Sequence, residues 1–312
     1  MAKIAVVGAG LIGRAWAISF ARGGHEVALW DIDASAPGAA IAAIAQTLPE
    51  LRQNGLLDEA PEAVLARIGV AASLGAALDG AAHVQENSPE RLDVKRELFA
   101  RFDALAAPET VLASSTSALL PSAFSVDLPG KARILVAHPI NPPHLVPAVE
   151  IVPAPWTAPE TVARTTALMR AAGHAPIVMA REIDGFVVNR LQGALLEEAF
   201  RLVAAGLASA DDVDVAIKDG LALRWSFMGP FETIDLNAPK GVRDYVARYQ
   251  GAYETMFTTS RADWAGPVLD AIEASRRART PEAGLGERQA WRDRRLMALL
   301  AHKRAADETL GD

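Results

Sequence analysis

The 312-residue chain contains no cysteine. That absence excludes a disulfide framework, a cysteine nucleophile and a thiolate metal site. It also fits a reducing compartment, so a cytoplasmic location is expected. No apolar run approaches the ~20 residues needed to cross a bilayer. The apolar stretch behind Lys3 is interrupted by Arg14 and by glycines at 8, 10 and 13. It therefore reads as the first strand and helix of a mature protein, not as a signal peptide. Positive charge is in deficit: the net charge is −7 and the pI about 5.5, which argues against nucleic acid or an anionic membrane as a partner. No cluster of His, Asp and Glu has ligand spacing, so no metal is expected. What is present, 51% apolar and 22% charged residues, is ordinary for a globular protein. The length suggests about two domains of ~150 residues each.

The first 31 residues carry a complete pattern. Lys3 to Val7 reads as a short apolar strand of a buried parallel sheet. Gly8-Ala9-Gly10-Leu11-Ile12-Gly13 follows, then a helical stretch to Arg22 that Gly23-Gly24 ends. Glu26 to Trp30 is a second strand with Asp31 at its end. This is the dinucleotide-binding arrangement. Gly8 allows the tight turn, Gly10 lets backbone approach a pyrophosphate, and Gly13 lets helix and strand pack closely. Asp31 lies 18 residues after Gly13 (31 − 13), where an acid meets the ribose hydroxyls. A carboxylate there repels a 2′-phosphate, so the expected cofactor is NAD rather than NADP. Asp33 is a weaker candidate for the same place.

A second stretch, Ile134 to Ile151, reads ILVAHPINPPHLVPAVEI. Ile134 to Val136 begins a strand, and His138-Pro139 ends it, because proline cannot continue the ladder. After a proline-rich turn containing Asn141, a second apolar run encloses Glu150, twelve positions beyond His138 (150 − 138). A buried carboxylate needs a partner, and a histidine at a strand end of an α/β protein lies where ligands bind. Two readings follow from the residues: a His–Glu acid/base pair, or a core histidine beside a solvated glutamate.

Further strands are expected at Val70–Ala72, His83–Glu86, Val111–Ala113 and Ala175–Val178. Helices are expected at Ala39–Gln53, Pro61–Arg67 and Leu92–Ala106, the last with Leu92, Phe99, Phe102 and Leu105 turned to the core. Strands alternating with helices imply an α/β, Rossmann-type doubly wound sheet, mostly parallel. Ser114 to Ser117 runs off a strand end, facing a ligand or capping a helix before Pro121. From Ile183 a long helical region opens, with polar Asn189 on an apolar face. The expected division is residues 1–183 as the NAD-binding domain and 184–312 as an all-helical domain for substrate and dimerisation. The arginines at 276, 277, 279, 292, 294 and 295 read as a solvated helix face, with Arg288 and Trp291 as an alternative subunit contact.

The segments VVGAGLIGRAW, VQENSPERLDVKRELF, SSTSALLPS, AHPINPPHLVPAVEIVP, GFVVNRLQ, GPFETIDLNA and RQAWRDRRLM together resemble the 3-hydroxyacyl-CoA dehydrogenase superfamily, from the first strand to the last helix. The resemblance implies a homodimer and an NAD-dependent oxidation of a secondary alcohol. It implies His138 as catalytic base, Glu150 as its orienting partner, and Ser117 and Asn189 around the reacting oxygen. Asn141 would support cofactor or substrate. Glu90 and Lys95 match nicotinamide-side contacts, as Leu11, Ile12 and Asp31 match the phosphate and adenosine side.

Two departures bear on the substrate. The segment Ile32–Ala66, where the acyl-CoA enzymes carry lysine for CoA, has no lysine. It has one arginine and five acidic residues, a net charge of −4. Arg224 and Trp225 stand where those enzymes have small residues. Arg224 could bind a substrate carboxylate through two parallel hydrogen bonds, or pair with Glu232 or Asp235. The expected substrate is a small free 3-hydroxy acid, with L-gulonate the leading example. The alternatives are a short-chain 3-hydroxyacyl-CoA and, from a different class, a structural protein that keeps the fold as a packing unit.

Overall fold

The computed structural model describes residues 1–53, 56–256, 270, 273–274, 277–288, 291, 302, 305–306 and 309. The chain forms two compact units, Met1–Ala194 and Leu195–Asp312. The first contains, in order, β1 (Lys3–Val7), α1 (Leu11–Arg22), β2 (Glu26–Trp30), α2 (Ala36–Gln53), α3 (Pro61–Leu65), β3 (Ile68–Val70), α4 (Leu74–Leu78), β4 (His83–Glu86) and α5 (Leu92–Leu105). Then come β5 (Val111–Ser114), α6 (Pro121–Ser125), β6 (Ile134–Pro139), β7 (Ala148–Pro153), α7 (Pro159–Ala171), β8 (Ala175–Val178) and the start of α8 (Val188–Ala204).

The eight strands form one sheet in the order β3-β2-β1-β4-β5-β6-β7-β8. The first six in that order run parallel. β7 turns back antiparallel to β6, and β8 runs parallel to β7. The strand order reverses between β1 and β4, which is where ligands settle in such sheets, beyond the carboxyl ends of the strands.

Alternation along the strands splits the core between the two faces. Ile4 and Val6 pack with Trp16, Phe20, Ile44 and Leu48 on one face. Ala5 and Val7 pack with Phe99, Phe102 and Phe124 on the other. Trp16 and Phe20, one helical turn apart, stack with centroids 5.1 Å apart; complete burial of a residue such as Phe20 stabilises by about 2–3 kcal/mol. The sequence places Leu105 in the core, but it is 53% exposed and Ala106, past the end of α5, is buried in its stead. Both lie one turn beyond Phe102, and the smaller side chain takes the inward place. β3 lies at Ile68–Val70, two residues earlier than expected, in register with Val27–Leu29.

In the second unit α9 (Ala210–Val215) leads through a π-helical turn, Ala216–Leu221, to α10 (Ala222–Trp225), α11 (Pro230–Leu236) and α12 (Val242–Glu254). Among the described residues it has no strand. Met228, Leu236 and Leu285 form its small core. The arginines expected to be solvated divide here. Arg279 is exposed, but Arg277 pairs with buried Asp235, and Arg288 pairs with Glu232 at 2.7 Å while stacking on Trp291. A buried carboxylate on α11 draws each of them inward. Arg276, Arg292, Arg294 and Arg295 lie outside the described residues.

Candidate active site

The loop between β1 and α1 is shaped by what cannot fit. Gly8 has φ +95°, and a β-carbon on it would lie 2.8 Å from the Asn87 carbonyl oxygen. A β-carbon on Gly13 would lie 1.8 Å from the Gly8 carbonyl oxygen, so α1 can rest on the loop only without a side chain there. Gly10 differs: a β-carbon there would meet no protein atom within 4 Å. The bare backbone at Gly10 borders open space, as approach to a pyrophosphate requires. Gly10 precedes α1 and offers no side-chain cap, leaving the first N–H groups of the helix for an anion. Leu11 is exposed, and Ile12 packs partly against the core.

Asp31 ties the end of β2 to this loop. Its Oδ2 accepts from the Ala9 N–H at 2.7 Å and its Oδ1 from the Asp33 N–H at 2.9 Å. The Asp33 carboxylate accepts instead from Ser35, through both its N–H and its hydroxyl. A cleft of about 640 Å³ opens here, bounded by Gly8, Gly10, Asp31, Ile32, Leu98 and Arg101 among others. That volume suits a small-molecule site. The residues present therefore fit a dinucleotide.

Beside the cleft, Lys95 is 1% exposed and its Nζ donates to both oxygens of buried Glu86, at 3.0 and 2.9 Å. The Ser114 hydroxyl donates to the same carboxylate at 2.5 Å. Glu90 accepts from the Thr116 hydroxyl and from the N–H groups of Ser117 and Ala118, at 3.0 and 3.1 Å for the latter two. Glu90 thus shapes the loop carrying Ser117, and Lys95 is anchored beside it. Ser117 caps no helix: the N-cap of α6 is Leu120. Ser117 is exposed, and its carbonyl accepts from the Asn189 side-chain amide at 2.8 Å. Asn141 is exposed on the turn after β6, where its peptide bond to Pro142 is cis.

The β6–β7 hairpin sets His138 directly opposite Glu150. Both continue an inward alternation. Val136 and Val152, two residues away on their strands, lie in the same core cluster, so His138 and Glu150 face that same side. Nδ1 of His138 is 2.7 Å from Glu150 Oε2. Exposure is 5% for His138 and 0% for Glu150, which rules out a solvated glutamate. The other oxygen, Oε1, accepts from the N–H groups of Val187 and Val188 at 2.7 and 2.9 Å. Burial alone would raise the Glu150 pKa, but the hydrogen bonds from His138, Val188 and Val187 outweigh it and hold the carboxyl below its ordinary value. An ionised carboxylate only accepts. Nδ1 therefore carries a proton, and Nε2 is the ring nitrogen not engaged with Glu150.

The expected helix opening at Ile183 is replaced by a turn, and α8 starts at Val188. Asp184-Gly185 is turn chemistry. Gly185 has φ +76° and Phe186 φ +49°; such a backbone costs a bulky residue about 1–3 kcal/mol. Four residues carry no role in the sequence alone: Phe186, Val187 and Val188 through their amides, and Asn87, whose Nδ2 donates to the Val7 carbonyl at 3.2 Å beneath the glycine loop. The Asp-Gly pair signals the turn, but not its aim.

Arg224 belongs to α10 in the second unit. It is half-buried and makes no ion pair among the described residues. Both acids expected to compete for it, Glu232 and Asp235, are held by other arginines.

Comparison with known proteins identifies the family. Residues 3–183 match the family described as 3-hydroxyacyl-CoA dehydrogenase, NAD binding domain, and residues 185–277 its C-terminal domain. The chain is 43% identical to the lambda-crystallin homolog of Bos taurus, over 95% of this chain and 94% of that protein. It is 36% identical to the L-carnitine dehydrogenase of Pseudomonas aeruginosa, over 95% and 92%. The solved structure of 5-formyl-3-hydroxy-2-methylpyridine 4-carboxylic acid 5-dehydrogenase, an NAD+-dependent dismutase, is similar with a TM-score of 0.74 at 29% identity, covering 96% of this chain and 97% of that one. With both domains of one family matched in order along its length, the chain belongs to the 3-hydroxyacyl-CoA dehydrogenase family and is an NAD-dependent oxidoreductase.

Proposed function

We propose that the enzyme oxidises the 3-hydroxyl of a small free hydroxy acid, with His138 as base and Glu150 as its orienting partner. The observation that carries the proton chemistry is the 2.7 Å contact between His138 Nδ1 and a fully buried Glu150. NAD, when bound, supplies the acceptor for the hydride that leaves the alcohol carbon. His138 takes the hydroxyl proton on Nε2, and imidazole suits that transfer near neutral pH. The carboxylate of Glu150 keeps Nδ1 protonated and stabilises the imidazolium that forms. Ser117 and Asn189, joined by their 2.8 Å hydrogen bond, hold the alcohol oxygen so that its C–H is presented to the nicotinamide. Gly8, Gly10, Leu11, Ile12, Gly13 and Asp31 hold the phosphate and adenosine side of the cofactor; Glu90 and Lys95 support the nicotinamide side, and Asn141 supports cofactor or substrate.

The free-acid reading rests on charge. Ile32–Ala66 carries five acids against one arginine, a poor home for CoA phosphates. Arg224, unpaired among the described residues, is suited to a carboxylate. L-gulonate is the leading substrate. L-carnitine, named for one relative, is likewise a free 3-hydroxy acid. His138→Asn should lower kcat by roughly 10²–10⁴ while NAD affinity stays nearly unchanged. Steady-state kinetics on a panel of free 3-hydroxy acids and 3-hydroxyacyl-CoAs, with NAD, test both halves. An active His138→Asn enzyme removes the mechanism, and a strong preference for an acyl-CoA removes the free acid.

A further inference from the structure

We propose that Phe186 is a positioning residue for the base, fixing both members of the His138–Glu150 pair from one strained turn. Phe186 has this role only if His138 is the base, as proposed above. Gly185 and Phe186 are successive residues with φ of +76° and +49°. Glycine takes such a value freely, whereas phenylalanine takes it only where its surroundings impose it. The surroundings are specific. The Phe186 N–H donates to the Ile183 carbonyl at 3.1 Å, closing the turn. The ring is completely buried, in one cluster with Val136 and Val152, the residues that precede His138 and follow Glu150 on the same face. Its centroid lies 5.6 Å from that of the His138 imidazole, with the planes at 55°.

The turn delivers two effects at once. The next two amides, of Val187 and Val188, both converge on Glu150 Oε1. That oxygen is thereby committed, and only Oε2 remains for His138. The carboxylate cannot rotate without losing both amides. The ring meanwhile packs against the imidazole, which the hydrogen bond to Nδ1 alone would leave free to swing about that bond. A base held by one hydrogen bond and one packed face keeps Nε2 in a single direction. Misplacing a catalytic group by about 1 Å can cost on the order of 10²-fold in rate.

The test uses the full-length enzyme with NAD. Phe186→Ala removes the ring; Phe186→Leu keeps apolar volume but loses the flat face. Both should lower kcat, the alanine variant by roughly 10-fold or more, while the Kd for NAD and the KM for the hydroxy acid change less than about twofold. In a His138→Asn background the same substitutions should leave the residual turnover unchanged, because the group they orient is gone. An equal fractional loss in both backgrounds would mean a merely structural residue and overturn the role. So would full kcat in Phe186→Ala alongside an inactive His138→Asn. If the alanine variant fails to unfold cooperatively or to bind NAD, the leucine variant decides by the same readouts. A fully active His138→Asn enzyme overturns the base and this role together.

Discussion

At Arg224 the proposed free-acid reading can be tested on a single side chain. A free acid needs a cation for its far end, and a thioester does not. Glu232 and Asp235 are already held by Arg288 and Arg277. Arg224→Ala should therefore raise KM for the free acid strongly, with a loss of ~2–4 kcal/mol in kcat/KM if a desolvated charge pair is broken. Arg224→Lys should recover only part, since an ammonium cannot make the forked contact. NAD affinity measured alongside should not move. Unchanged kinetics on every accepted acid would exclude Arg224 as the carboxylate reader. At this scale the sequence is most legible where chemistry and spacing coincide. His138 and Glu150 stand out because imidazole and carboxylate each interrupt an apolar run. Phe186 does not, because a phenylalanine in an apolar stretch looks like core, which it also is, and a backbone angle leaves no mark in residue type.

At the scale of elements, the strands can be read because parallel ones are buried on both faces and show as apolar runs. The reading weakens at their ends. Leu105 is misassigned because a helix terminus offers two positions one turn from the last core residue. The turn at 183–187 is missed because its Asp-Gly signal lies inside a run that otherwise looks helical. Buried polar residues within the strands also bear on stability. His83, in β4, reaches Gln85 Oε1 at 3.0 Å, and its Nδ1 has no partner among the described residues. Burial pushes its pKa down to about 4, against the opposing hydrogen bond that its ring N–H donates to Gln85. The folded protein thus keeps His83 neutral where the unfolded chain, near its ordinary 6.5, takes up a proton. Stability should fall as pH drops from about 6.5 to about 4, by up to roughly 3 kcal/mol from this residue. Glu150, with its depressed pKa, acts in the same direction at lower pH: its contribution is present above the ordinary carboxylate value and is lost as pH falls through the folded one. Urea denaturation at several pH values should give a shallower slope between 6.5 and 4 for His83→Gln than for the parent protein. Identical slopes would rule His83 out as the source.

For the whole molecule, family resemblance leads us to propose a homodimer formed mainly through the helical region. α8 and the turn after it expose Leu191, Leu196, Phe200, Val203 and Leu207, with Phe200 and Leu207 each 74% exposed. Light scattering at micromolar concentration should give twice the 33.0 kDa chain mass, and Phe200→Glu should shift the population toward monomer. A monomeric parent protein would reject the assembly. No described helix is long and apolar enough to cross a membrane. His138, Glu150, Ser117, Asn189, Phe186, the glycine loop and Asp31 are all encoded before residue 195, within one compact unit; Arg224 is encoded after it. If the proposed roles hold, proton transfer and the choice of acid are written in separate stretches of the gene. Mutations downstream can explore new acids while the proton-transfer apparatus is inherited intact, so descendants of such a chain can change diet without reinventing their chemistry.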